Sequence, residues 1–292
     1  MARQVALVRT HQMGPAEDRL IKTLRAGFGD DIVLCFDAQN GPPPPGFPKT
    51  VAMTPALLKE MGLIFPEDWA WRCGDFCHYA AARAYPDYDH YWLFEPDVAF
   101  NQVTTSDFLA ATDASDADFL ASASGPANKN WPHAASVLTM FPKAHQCFFP
   151  ITRLSARAIA ALLPQRIALA QHWQAQGLHK TLYANDEAFV ATAIAATAGL
   201  RFEAFRALAP GFFTNNPPLF SWRRSVMDVD MPHLPPGILH PVMDKATFEA
   251  RILGPRSRSW IRQDADYLTG VLNRHYAPAD AQRIFNAIRW QK

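Results

Sequence analysis

Tyr88-Asp89-His90-Tyr91-Trp92-Leu93-Phe94-Glu95-Pro96-Asp97-Val98 is the stretch on which the reading of this chain turns. Its aromatic and apolar centre reads as a buried strand. The strand ends abruptly in two carboxylates, two positions apart. Side chains so spaced on an extended backbone face the same side, so Glu95 and Asp97 can aim at one point. Two hard oxygen donors at the carboxyl end of a strand suit a divalent cation such as Mg²⁺ or Mn²⁺ carrying a diphosphate. The competing reading is a plain turn, because Pro and Asp are also what a chain uses to leave a strand for water.

Working outward, the chain opens as a βαβ unit. Val5 to Val8 is a short β-rich run, and Asp31 to Phe36 is a second apolar strand ending in Asp37. Between them a helix is expected from Pro15, with Glu17 and Asp18 in its first turn and a stop at Gly27. Strand, helix and strand within 37 residues predict a parallel α/β sheet. The segment Gly41-Pro42-Pro43-Pro44-Pro45-Gly46-Phe47-Pro48 that follows is a stiff, extended connection and not a domain boundary, because about 40 residues before it could not make an independent core. A helix is expected over 71–84, leading into the His90–Phe94 strand. Further strands are expected over 118–122 and 146–150, and near 201–205. Helices are expected over 152–163, capped near Thr152, over 167–176, and from Asp186 to Ala198. The segment from Lys245 onward reads as mostly helical.

Composition narrows the class. The chain has 292 residues, 49% hydrophobic and 19% charged, enough for a large core and too apolar for disorder. Lys plus Arg (28) nearly balance Asp plus Glu (27), so no global field points to nucleic acid. A late arginine cluster, Arg251, Arg256, Arg258 and Arg262, reads as a solvated face. No secretory leader pattern opens the sequence, and no run of about 20 apolar residues could span a bilayer. A cytoplasmic protein without a membrane span is the expectation. Four cysteines (Cys35, Cys73, Cys77, Cys147) are too few for a disulfide framework. Cys73, Cys77 and His78 invite a zinc reading. Their spacing fits a helix rather than a C-x₂-C turn, which favours buried thiols.

The alternation of strands and helices, with Trp71-Arg72-Cys73-Gly74-Asp75 followed by Tyr91-Trp92-Leu93-Phe94-Glu95-Pro96-Asp97-Val98, resembles the GT-A type of nucleotide-sugar glycosyltransferase. In that class a "DxD" element ends a strand and holds the metal bound to the donor diphosphate. Here Glu95 replaces the first Asp, keeping the oxygen donor with one more methylene of reach. The likeness spans residues 1–243 at the level of pattern. It implies a Rossmann-like GT-A fold over 1–243, with 244–292 as a helical extension packed on the same domain.

The same resemblance assigns roles. Glu95, Asp97 and a late histidine, His240, would hold Mn²⁺ or Mg²⁺. Asp186 and Glu187 would take the proton from an acceptor hydroxyl, with Asp186 ahead as the residue nearer the loop; helix capping explains the same acids. Donor binding would fall at the ends of the first strands, on Arg9, Thr10, His11 and Asp37, with Arg72 and Asp75 on the helix before the acidic element. Asp37 equally suits a turn with Gln39 and Asn40, and Arg72 and Asp75 an ion pair with each other. Amides and aromatic faces for a saccharide acceptor are offered by Asn128, Asn130, Trp131 and His133, and by Asn215, Asn216, Phe220 and Trp222.

The function implied is transfer of a sugar from a nucleotide-diphosphate donor to a saccharide or glycoconjugate acceptor, in bacterial polysaccharide or glycoconjugate synthesis. Two alternatives stay open. A sugar-phosphate nucleotidyltransferase would want a Gly-rich basic loop after the first strand, which Arg9-Thr10-His11-Gln12-Met13-Gly14 matches poorly. A non-catalytic carbohydrate- or nucleotide-binding protein on a degenerate transferase fold would bind without turnover.

Overall fold

The expected apolar runs become strands β1 (Gln4–Thr10), β2 (Ile32–Asp37), β4 (His90–Phe94), β6 (Phe119–Pro126), β7 (His145–Ser155) and β8 (Phe202–Ala204), and two short strands not anticipated, β3 (Thr50–Met53) and β5 (Ala99–Asn101), join them. The computed structural model describes residues 2–128, 130–213, 223–254 and 264–289. The chain forms two compact units, one of residues 1–96 and 104–212, the other of 97–103 and 213–292.

In the first unit, seven strands form one sheet in the order β3-β2-β1-β4-β7-β6-β8. β1 pairs in parallel with β2 (Ala6 opposite Ile32) and with β4 (Val5 opposite Tyr91), and β2 with β3. Only β7 runs against its neighbours β4 and β6, so the sheet is mostly parallel, as predicted. Tyr91, Trp92, Leu93 and Phe94 are all fully buried, because β4 is central and covered on both faces. Trp92 stacks on Phe205 (5.8 Å between centroids) and meets Phe108 edge-on (5.6 Å).

The helices of this unit include α1 (Pro15–Phe28), α2 (Pro55–Glu60), α3 (Trp69–Arg72), α4 (Asp75–Ala84), α5 (Thr105–Thr112), α6 (Ala134–Val137), α7 (Ala156–Ala175) and α8 (Asp186–Ala196). α1 runs one residue past its expected stop, and Gly29 at φ 57° ends it. The helix expected over 71–84 is two, broken at Cys73-Gly74. The predicted strand over 146–150 is the first half of an eleven-residue strand. That strand absorbs Thr152, so the cap of the next helix is Ser155, which accepts from Ala158 N. One helix, α7, then covers both predicted helical stretches with Pro164 inside it. The cause of the misreading is Arg153. It is 1% exposed, donates to Ser115 O (3.0 Å) and Ala117 O (2.8 Å), and lies 5.7 Å from the Trp92 ring. A buried arginine interrupts an apolar pattern without interrupting the strand.

In the second unit β5 pairs antiparallel with β10 (Gly237–Leu239), and β9 (Arg224–Ser225) pairs in parallel with β11 (Val242–Met243). Helices over Lys245–Leu253, Ala265–His275 and Pro278–Arg289 bury Phe248, Ile252, Leu268, Val271, Leu272 and Ile284 together. Among the described residues no helix is long and apolar enough to cross a membrane.

Asp228, fully buried, is the polar centre of this unit. It accepts from Arg274 Nη2 (2.9 Å) and lies 2.6 Å from His275 Nε2 and 3.3 Å from His233 Nε2, with Tyr267 also bonded to it. Burial alone would raise its pKa; the hydrogen bonds from Arg274 and His275 outweigh that and hold it below the ordinary aspartate range. A depressed carboxylate contributes stability above its unfolded pKa of about 3.9, lost as pH falls through the lower folded value. Urea midpoints of the wild type should therefore fall as pH drops below about 4, and Asp228→Asn should flatten that part of the profile. Parallel profiles for the two proteins would show that Asp228 is not the group responsible.

Candidate active site

Arg9, near the end of β1, organises the carboxyl ends of the central strands. Its Nη1 donates to Glu95 Oε1 (2.9 Å) and lies 3.7 Å from Asp186 Oδ2. Its Nη2 donates to the carbonyl oxygens of Ala70 and Trp71, the latter at 2.7 Å. Burial works against the Arg9 cation, but Glu95 and Asp186 beside it raise its pKa, so the charge is permanent. One guanidinium thus ties together β1, the end of β4, α3 and the start of α8.

Asp186 is the first residue of α8, behind Asn185, whose side chain caps the helix by accepting from Ala188 N (3.0 Å). Both Asp186 carboxylate oxygens are engaged: Glu187 N donates to Oδ1 (2.8 Å) and Gly74 N to Oδ2 (2.7 Å). Burial pushes its pKa well up, Arg9 pulls it back, and neighbouring Glu187, Asp75 and Glu95 add to the rise. Glu187, by contrast, is half-buried rather than enclosed. The break between α3 and α4 is what brings Gly74 to Asp186. A Cβ there would stand 2.7 Å from Arg9 Nη1 and 2.8 Å from Asp186 Oδ2, so only glycine allows the approach.

Beneath this break lies a second buried pair. Arg166 Nε is 3.1 Å from Asp75 Oδ2, and the two side chains are 1% and 0% exposed. Arg166 also donates to Ala184 O (2.8 Å) and Cys73 Sγ (3.3 Å), and lies 4.8 Å from the Phe189 ring and 5.0 Å from that of Tyr183. Burial opposes the Arg166 cation, yet Asp75 beside it holds the pKa above the free value. Arg72 and Asp75 therefore do not pair with each other. Arg72 pairs with Asp68 (2.9 Å), one turn back.

Of the remaining predicted donor-binding positions, Thr10 and Asp37 have partners within the chain. Thr10 is buried against Glu17 Oε1 (3.0 Å) and Gln12 O (2.7 Å). Asp37 accepts from Gln39 N (3.1 Å), the turn role anticipated for it. His11 is exposed. In the other loop, Asn130 N donates to Asn128 Oδ1 (3.1 Å), and the Trp131 and His133 rings meet edge-on at 5.3 Å. Asn215, Asn216, Phe220 and Trp222 lie outside the described residues, as do Arg256, Arg258 and Arg262. All four thiols are free and buried. Cys73 faces Arg166, and His78 pairs with Thr152 (3.1 Å), so the zinc reading finds no cluster among the described residues.

In the second unit, the β5–β10 register sets Ala99 opposite Leu239 and so draws His240 to Asp97. His240 Nε2 is 3.3 Å from Asp97 Oδ1, an oxygen shielded from water that receives no hydrogen bond. The Asp97 carbonyl meanwhile accepts from Val242 N (2.7 Å). An orphaned carboxylate oxygen facing an imidazole nitrogen is a donor set that fits a divalent cation, Mn²⁺ rather better than Mg²⁺ because of the nitrogen.

Sequence reading missed the Arg9 clamp, Gly74 and Arg166. Glycine at the break was visible in Trp71-Arg72-Cys73-Gly74-Asp75; nothing local marks Arg9 as a clamp or Arg166 as a buried cation.

No family model and no curated protein matches the chain. Among solved structures it is similar to a glycosyltransferase involved in glycosylation of the PBCV-1 major capsid, at 9% identity over 81% of this chain and 91% of that one, with a TM-score of 0.38. It is also similar to core-mannan synthase A of Aspergillus fumigatus in its Mn/GDP form (13% identity, 70% and 73% covered, TM-score 0.38). A third is the GDP complex of the mannosyltransferase Ktr4p of S. cerevisiae (8%, 71% and 70%, TM-score 0.38). At these scores the likeness stops short of a shared family.

Proposed function

We propose that the protein is a metal-dependent glycosyltransferase using a nucleotide-diphosphate sugar, with residues 1–243 as the transferase segment. The observation that carries this reading is the Asp97 oxygen left without a hydrogen-bond donor beside His240, at the end of Glu95-Pro96-Asp97. Glu95, Asp97 and His240 would hold Mn²⁺ or Mg²⁺. When bound, the cation supplies neutralising charge for the diphosphate.

This chain's own residues would handle the acceptor. The hydroxyl proton passes to the Glu187 carboxylate as the oxygen bonds to the sugar's anomeric carbon. The bond from that carbon to the phosphate oxygen breaks, and the nucleoside diphosphate leaves with the electron pair. Attack opposite the leaving group inverts the anomeric centre. Glu187 is favoured over Asp186 for this step by access, since Asp186 is only 5% exposed whereas Glu187 is half-buried, its Oε2 3.5 Å from Asn185 Nδ2. Asp186 would instead fix Gly74 and Arg9 and hold the helix start that presents Glu187.

The test is a melting-temperature panel of nucleoside diphosphates and nucleotide sugars with and without Mn²⁺, run beside Asp97→Ala. A ligand at about a hundred times its Kd should add roughly 2.7 kcal/mol of stability. A metal-dependent rise with one nucleotide, lost in Asp97→Ala, is expected. No rise with any nucleotide would return Glu95-Pro96-Asp97 to a simple turn.

A further inference from the structure

Trp71 is the most exposed large apolar side chain among the described residues, at 72%, although the chain buries Trp69 on the same short helix to 3%. A solvent-facing indole forgoes the burial energy that Trp69 gains and leaves a rigid aromatic surface open to a ligand. Its backbone is not loose. Arg9 holds the Trp71 carbonyl with Nη2 while Nη1 reaches Glu95 and Asp186, so the indole is anchored one guanidinium away from the proposed proton acceptor's helix.

The surroundings of the ring are polar and fixed. Arg72, locked by two nitrogens onto Asp68, has its guanidinium 5.9 Å from the Trp71 ring centroid. An exposed aromatic face beside a guanidinium and a carboxylate suits a sugar ring, whose C–H face packs on the indole while its hydroxyls meet the ion pair.

We infer that Trp71 is the stacking platform of an acceptor-saccharide subsite, with Arg72 and Asp68 as its hydrogen-bonding rim. The inference deepens the glycosyltransferase reading and rests on it for the word acceptor. A saccharide is favoured over the donor's nucleoside because the acceptor hydroxyl must touch the base at the start of α8, and the Arg9 clamp anchors Trp71 to that same helix start.

The experiment measures binding of cellobiose, lactose and mannobiose to the full chain by saturation-transfer NMR and titration. Wild type, Trp71→Ala and Trp71→Phe are compared, and nucleoside-diphosphate affinity is measured on the same samples. Trp71→Ala should weaken the bound disaccharide by about tenfold, equivalent to about 1.4 kcal/mol, and Trp71→Phe should recover most of it. Melting temperature and nucleotide affinity should stay unchanged, because the side chain is exposed. An unchanged disaccharide affinity in Trp71→Ala, or no disaccharide bound by the wild type, overturns the platform even where nucleotides bind. Loss of nucleotide affinity instead would make Trp71 a nucleoside platform and overturn it equally. Trp71-dependent disaccharide binding without any nucleotide response keeps the platform and removes the transferase reading.

Discussion

Glu187→Gln should lower kcat by about 10²–10⁴-fold, the range that a positioned general base contributes. The substitution keeps size and polarity and removes only the ability to take a proton. The cap on α8 is carried by Asn185, not by Glu187, so the helix should survive and the melting temperature should hardly move. Nucleotide affinity should persist as well, which separates a lost base from a lost donor site. The measurement is steady-state release of nucleoside diphosphate from the nucleotide sugar that shifts the melting temperature. Asp186→Asn is the contrast: it weakens the hydrogen bond from Gly74 and the pairing with Arg9, so stability and rate should fall together. A Glu187→Gln enzyme within a few-fold of wild type, beside a stable but inactive Asp186→Asn, would reverse the two roles.

The second large effect concerns Asp75 and Arg166. Replacing either one alone, as Asp75→Leu or Arg166→Met, should cost about 3–5 kcal/mol, because the remaining charge is stranded in the core. The side chains are 0% and 1% exposed, so no water is at hand to solvate the survivor. Replacing both together should cost much less than the sum, since two apolar side chains of similar volume leave no charge behind. Arg166 carries an extra burden, its bond to Ala184 O immediately before the cap of α8. Arg166→Met should therefore disturb the Asp186-Glu187 turn more than Asp75→Leu does. Urea unfolding of the four proteins gives the coupling energy directly. Single-variant losses under about 1 kcal/mol would mean that the buried pair is not held as a charged pair.

Much of the fold could be read along the chain. The continuous apolar run of β4 marks a strand covered on both faces, and the Pro15, Glu17 and Asp18 start of α1 marks a helix entry. Asn185 capping α8 is equally local chemistry. These succeed because periodicity and capping depend on neighbours a few residues away. The far end of β7 was misread as helix because Arg153 contradicts the rule that charged residues face water, and its compensation comes from backbone carbonyls more than thirty residues distant.

The site divides the same way. Glu95, Asp97, Asp186 and Glu187 stood out as acids at the ends of strands and helices, and their positions there are set by local sequence. What those acids face is decided only in three dimensions. Gly74 meets Asp186 across 112 residues, and Arg166 meets Asp75 across 91. Neither partner carries a local sign of the other, because an ion pair in the core is set by sheet register and helix packing. Composition and periodicity determined which segments are buried; tertiary structure alone decided which charges are buried together.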